Sequence, residues 1–366
     1  MTLPLASRRP ADASANGARP GPRGLRVRLS TAMSGTLLAA AACGITLATL
    51  PAAVLAQGTA LRFTTNAPLK SPWGGQIERL AATVAAQSGG SVKIEPFYGA
   101  QLGNELDTIQ QVARGRIDMG SYSLGAATSV VPELQMLMLP FYFDNAAQLD
   151  CVLDKHMVGQ VDALFAAKGL KLLGINDVGV IDVAGKKSLA DVAAVKGLKG
   201  TAYSRIQGML WSAVGANSTF IPVPEWASSL QTGVIDYTTS PVAVYVPTGL
   251  NKVAPVYTRL NLWYTPGVIL MNKAAYDRLG AEQRAALQRA FEAESAPKLR
   301  AEIRAVEEKL RQAHVAAGGQ LVDLTPAQRT AWRQVAAGLW PEMVSAVGGQ
   351  AAGFHRAVET ARDSCR

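Results

Sequence analysis

Leu61-Arg62-Phe63-Thr64-Thr65 is followed by Asn66 and, five residues on, by Ser71-Pro72 at the head of a long run reaching Gln87. The first five residues read as a strand. Ser71-Pro72 opens a helix, a cap residue followed by the one residue whose missing N–H costs nothing in the first turn. The same alternation continues outward. Ser91 to Phe97 alternates as a strand, and Gly103 to Arg114 places Leu106, Ile109, Gln110 and Ala113 on one helical face. Ile117 to Tyr122 is a strand, with helices expected near 145–154 and 156–168 and strands near 170–176 and 179–183. A second cycle begins at Leu198, with helices near 206–214 and Pro224–Gln231 and strands near Thr219 and Val234–Thr239. This rhythm predicts an α/β protein with mostly parallel sheets.

The last third changes character. Glu282 to Ala316 is charged and helix-rich, with Ile303, Val306 and Leu310 at helical spacing. Pro297 is expected to kink or split it, and Gly318-Gly319 to end it. Thr325-Pro326 caps a further helix carrying Trp332 and Trp340, both read as core residues.

At the other end, Arg23, Arg26 and Arg28 precede an uncharged stretch, Leu37 to Leu55, that closes on Val54-Leu55-Ala56. A basic segment, an apolar run and slim residues before the cut describe a secretory leader cleaved between Ala56 and Gln57. Gly44 and Pro51 interrupt the run, which disfavours the competing reading of a membrane anchor. Residues 1–56 hold six arginines and one acid, so residues 57–366 carry 30 basic and 26 acidic side chains, a net charge of +4 where the full chain has +9. The basic pI is mostly a property of the leader. No Lys/Arg cluster interleaved with aromatics remains, so nucleic acid is not an expected partner.

Beyond the leader stand Cys151 and Cys365. An even pair in an oxidising compartment suggests a disulfide, with two separate thiols as the alternative. Neither metal-ligand spacing nor a nucleophile elbow is found, and His156, His314 and His355 lie in charged, helix-like segments. No enzyme, metal site or cofactor is expected.

The order of landmarks resembles one family. Asn66, Tyr98-Gly99-Ala100-Gln101-Leu102-Gly103, Gly115-Arg116-Ile117-Asp118-Met119 and Pro140-Phe141-Tyr142-Phe143 come first. Lys196-Gly197-Leu198-Lys199, Gly215-Ala216-Asn217, Glu225, Leu230 to Asp236 and Met271-Asn272-Lys273 follow. Together they resemble the DctP-type solute receptors of tripartite ATP-independent periplasmic (TRAP) transporters. The resemblance implies a two-lobed periplasmic-binding-protein fold with crossing hinge strands and a long C-terminal connecting helix. It also implies that a small solute is bound between the lobes and handed to membrane permease subunits. The expected division is residues 57–180 with about 266–300 as lobe I, and 181–265 with helices of 301–366 as lobe II and strut. The hinge is expected near Asp177–Ile181 and Tyr264–Val268.

Where the family places an arginine that grips a ligand carboxylate, this chain has Thr201. A second arginine position is Ile181, and an asparagine before a proline is Ser240 before Pro241. The expected ligand contacts are Asn66, Trp73, Ser123, Thr201, Tyr203, Arg205, Trp226, Tyr237 and Ser240, with Glu225 bracing backbone. Either Arg205 replaces the missing clamp and the ligand is an organic acid, or the ligand is neutral or polar and is held by hydroxyls, amide and stacked aromatics. A sensing receptor that docks a membrane kinase would share the same fold.

Overall fold

The computed structural model describes residues 58–366; the expected leader lies outside the described residues. Nine strands form one sheet: β1 Thr59–Thr65, β2 Val92–Phe97, β3 Met119–Ser123, β4 Leu170–Gly185, β5 Lys199–Thr201, β6 Asn217–Thr219, β7 Tyr237–Ser240, β8 Val256–Asn272 and β9 Gln320–Asp323. The order is β2-β1-β3-β8-β4-β7-β5-β6, with β9 on β8. β1 pairs in parallel with β2 and β3, and β5 with β6 and β7. The two halves are therefore each parallel, as the alternation predicts, and are joined by the long antiparallel pair β4–β8.

That pair is continuous where two strands, 170–176 and 179–183, were expected. Its register slips between Leu172 and Gly174, between Asp177 and Gly179 and between Ile181 and Val183. The middle slip coincides with the expected hinge. Asp177 faces Pro266, which has no N–H to give the ladder, and Gly179 takes a left-handed φ of +115°. Interruptions of this kind bend a strand locally.

The helices follow their sequence signals closely. Pro72–Gln87 is capped by Ser71, whose Oγ accepts from Gly74 N at 3.1 Å. The charged C-terminal stretch is split into Ala281–Ala293 and Ala296–Ala316, with Pro297 in the first turn of the second helix. Thr325 and Gln328 form a reciprocal capping box on Pro326–Val347. Trp332 is fully buried in the main core beside Trp211 and Phe141.

Helix Ala296–Ala316 runs along β4 and touches helices from both halves of the sheet, Pro72–Gln87 and Val242–Tyr245. Its buried face is not the apolar one its spacing suggests. Ile303 is buried, but Val306 and Leu310 are only partly so, and Arg300, Glu307 and His314 are buried with Ile303. Each polar side chain has its own surroundings beneath the helix: Arg300 pairs with Asp150 and Asp154, Glu307 lies over Gly179, and His314 packs edge-on to Tyr245. The final helix, Ala351–Ser364, packs on Pro132–Met138 and on the Val152–Met157 turn. It is fastened there by a Cys151–Cys365 disulfide, Cα atoms 5.9 Å apart.

Candidate functional site

The sheet register brings the strand ends of the two halves to either side of the β4 interruption. Ser123, the end of β3, pairs with Gly267, and β1 runs beside β3 with Thr65 opposite Ser121. Ser240, the end of β7, pairs with Asp182; Gly200 of β5 pairs with Tyr237; Thr201 pairs with Thr219 of β6. The carboxyl ends of parallel strands from both halves thus approach the Asp177–Gly179 register slip of β4 from opposite sides. In open α/β sheets the crevice beyond such ends is where ligands bind.

The expected contact residues divide sharply by environment. Asn66 is exposed just past β1. Trp73 is half-buried and its Nε1 donates to the Asp177 carbonyl at 2.6 Å, which ties it to the interruption in β4. Ser123 caps the short helix Leu124–Ala127, and its Oγ donates to Glu105 at 2.6 Å. Burial raises the Glu105 carboxyl above its usual range, against the two hydrogen bonds from Ser123.

On the second half, Thr201 and Ser240 are fully buried. Thr201 Oγ1 lies 2.9 Å from Thr238 Oγ1 and accepts from Thr239 N at 3.3 Å, while Ser240 Oγ donates to the Pro241 carbonyl at 3.0 Å. Both hydroxyls are engaged inside the sheet. Tyr237 is fully buried edge-on to Trp211, and its ring occupies the space a side chain on Gly200 would need. Trp226 is 3% exposed and belongs to the second-half core. Arg205 is exposed, with Nη1 3.4 Å from the Ala346 carbonyl at the end of Pro326–Val347. Tyr203, by contrast, is 40% exposed, beside Phe220.

Around Asp177 lies a cluster of acidic and basic side chains that local sequence did not reveal. A cavity of about 20 Å³, room for one water, is lined by Asn176, Asp177, Asp150, Arg300, Arg304 and Glu307 among others. Glu307 projects its carboxyl into the space above Gly179, which has no side chain to block it. Burial pushes Glu307 up to about 7; Asp177 and Asp182 reinforce this and Arg311 opposes it. Burial likewise pushes Asp182 up to about 7, although Asn261 N donates to it at 2.7 Å and Arg259 and Arg311 oppose the shift.

Both folded-state values lie above the unfolded ones, so the native state holds more protons than the unfolded chain from about pH 4 to 7. Stability is therefore expected to fall as pH rises through that window. At up to about 1.4 kcal/mol per unit for each group, and less because the two carboxyls are coupled, the gain from pH 7 to 5 is on the order of 2 kcal/mol. Calorimetry at constant ionic strength checks this, and Asp182→Asn should flatten the profile. A melting temperature that falls steadily from pH 7 to 5 would contradict it.

Comparison with known proteins places this architecture. Residues 63–346 match the model of DctP, bacterial extracellular solute-binding protein, family 7. A solute-binding protein of Verminephrobacter eiseniae is 29% identical over 231 residues, 63% of this chain and 69% of that one. The C4-dicarboxylate-binding periplasmic protein DctP of Rhodobacter capsulatus is 25% identical over 325 residues, 88% of this chain and 96% of that one. Among solved structures, a TRAP periplasmic solute-binding protein of Roseobacter denitrificans with bound β-D-glucuronate superposes with a TM-score of 0.77 at 24% identity, covering 83% of this chain and 99% of that one.

Proposed function

This chain belongs to bacterial extracellular solute-binding protein family 7, and on that premise we propose that it captures a neutral or weakly charged solute without the arginine–carboxylate clamp and delivers it to the membrane permease of a TRAP system. The family is made of periplasmic transport receptors, and export here would follow cleavage between Ala56 and Gln57. The proposed lobes meet at the β4–β8 irregularity, with the solute between Asn66 and the Ser123 region on one side and the ends of β5, β6 and β7 on the other.

One observation carries the ligand reading. The three positions that would grip an anion present no cation: Ile181 is aliphatic, and the Thr201 and Ser240 hydroxyls are spent on internal hydrogen bonds. Arg205 points toward a helix-terminal carbonyl, a favourable seat for a cation. An anion enclosed here would lose its hydration without a partner, at a cost of several kcal/mol.

Thermal-shift screening of residues 57–366 against dicarboxylates, hexuronates, polyols and neutral ring compounds tests this, because a bound solute raises the melting temperature by mass action. The expected hit is uncharged or weakly charged, with affinity changed less than about twofold by Arg205→Ala. An acid whose binding collapses by about 100-fold in that variant, as loss of a desolvated charge partner would cause, would establish the organic-acid alternative instead.

A further inference from the structure

Phe220 is a large apolar side chain left 58% exposed immediately after β6, at the carboxyl end of that strand. Single exposed hydrophobics are ordinary, but this one is neither isolated nor loosely held. Tyr203, 40% exposed, stands edge-on to it with ring centroids 5.5 Å apart, and Val223 beyond is 42% exposed. The loop that displays Phe220 is pinned twice at one atom. The Ile221 carbonyl accepts from Tyr203 Oη at 3.0 Å and from Trp226 Nε1 at 2.9 Å, so both of its lone pairs are used. Pro222 stiffens the next step, and Ala202 N donating to the Thr219 carbonyl at 2.9 Å holds the two strand ends in register. Two aromatic donors are thus committed to fixing a short loop whose outward product is one phenyl ring.

Resting on the solute-receptor reading above, we propose that Phe220, with Tyr203 beside it, is the specificity-determining contact of the cleft and selects a solute bearing a planar, unsaturated ring. The chemistry suits that class. The two rings meet nearly perpendicularly, at 85°, offering one face and one edge to a third ring, the arrangement aromatic groups prefer. A pre-fixed ring also loses little freedom on binding. For hydroxyls or an amide elsewhere on the solute, the other half of the sheet offers Asn66, exposed just past the carboxyl end of β1. Tyr203 keeps its proton at neutral pH, since burial raises its hydroxyl, so the platform carries no charge to repel or demand a counter-ion.

The test uses matched neutral probes, phenyl β-D-glucoside against cyclohexyl β-D-glucoside and phenylacetamide against cyclohexylacetamide, titrated calorimetrically into residues 57–366. Wild type should favour the unsaturated member of at least one pair by about fivefold or more. Phe220→Ala should weaken that member by about tenfold while the ligand-free melting temperature stays put, because the removed ring is mostly in water; Phe220→Tyr should restore binding. Failure of every unsaturated probe to bind, or equal binding to wild type and Phe220→Ala, overturns the proposal. Equal binding of the saturated and unsaturated members of both pairs to wild type would do so while leaving the receptor reading intact. Binding only of acids through Arg205 would overturn both.

Discussion

Arg300→Ala is expected to destabilise the protein by about 3 kcal/mol, measured by urea unfolding of residues 57–366. The Arg300 side chain is 4% exposed and forks onto Asp154, with Nη1–Oδ2 2.6 Å and Nη2–Oδ1 3.0 Å, while its Nε lies 3.2 Å from Asp150. Arg304 completes the network through Asp150 at 2.8 Å and Asp177 at 3.5 Å. Truncation leaves Asp154 without its ion partner and Asp150 with Arg304 alone, close to Asp177 and Glu307, and deletes the aliphatic stem as well. Asp154 is 37% exposed and can rehydrate, which holds the loss below that of a wholly enclosed pair. Arg300→Met, which keeps the stem, should recover part of it. A loss under about 1 kcal/mol for the alanine variant would show that the network does not fasten helix Ala296–Ala316 beside the hinge.

Gly200→Ala is the second large effect, expected at about 2–3 kcal/mol. The backbone there is ordinary strand, so the cause is not conformational. The Tyr237 ring lies against the Gly200 Cα, and any Cβ would collide with it. The ring cannot yield, since Trp211 closes on it at 4.9 Å. Tyr237→Leu opens that space, so the double variant should be more stable than the sum of its parts predicts. Simple additivity would refute the packing explanation.

The same contact shows why the candidate site was only partly legible in the sequence. Signals that act within one turn transferred well: the Ser71-Pro72 start, the Pro297 break and the Thr325 cap all depend on neighbours. Gly233 ends helix Trp226–Thr232 in the left-handed region, where a glycine is favoured. The parallel halves followed from the strand–helix alternation. Tyr237 looked like a cleft aromatic because nothing local says that Gly200, 37 positions earlier, is empty to receive it. The Thr201 hydroxyl reads as free for the same reason, since Thr238 and Thr239 meet it only through sheet register, whereas the Ser240 hydroxyl turns back onto the carbonyl of its neighbour Pro241. The polar underside of Ala296–Ala316 was hidden because its partners, Asp150, Asp154 and Gly179, lie more than 100 residues away. Phe220 carries no local signal of its environment, and only its exposure and the doubly used Ile221 carbonyl set it apart.

The central claim is that a solute bound at the converging strand ends draws the two halves together about the β4–β8 interruption. Ligand need favour the closed form by only a few kcal/mol to shift the population. Small-angle scattering of residues 57–366, alone and saturated with the solute found by thermal shift, measures this directly. A smaller radius of gyration with ligand, at unchanged molecular mass, is the predicted result. An identical scattering profile in both conditions, at proven saturation, would contradict it.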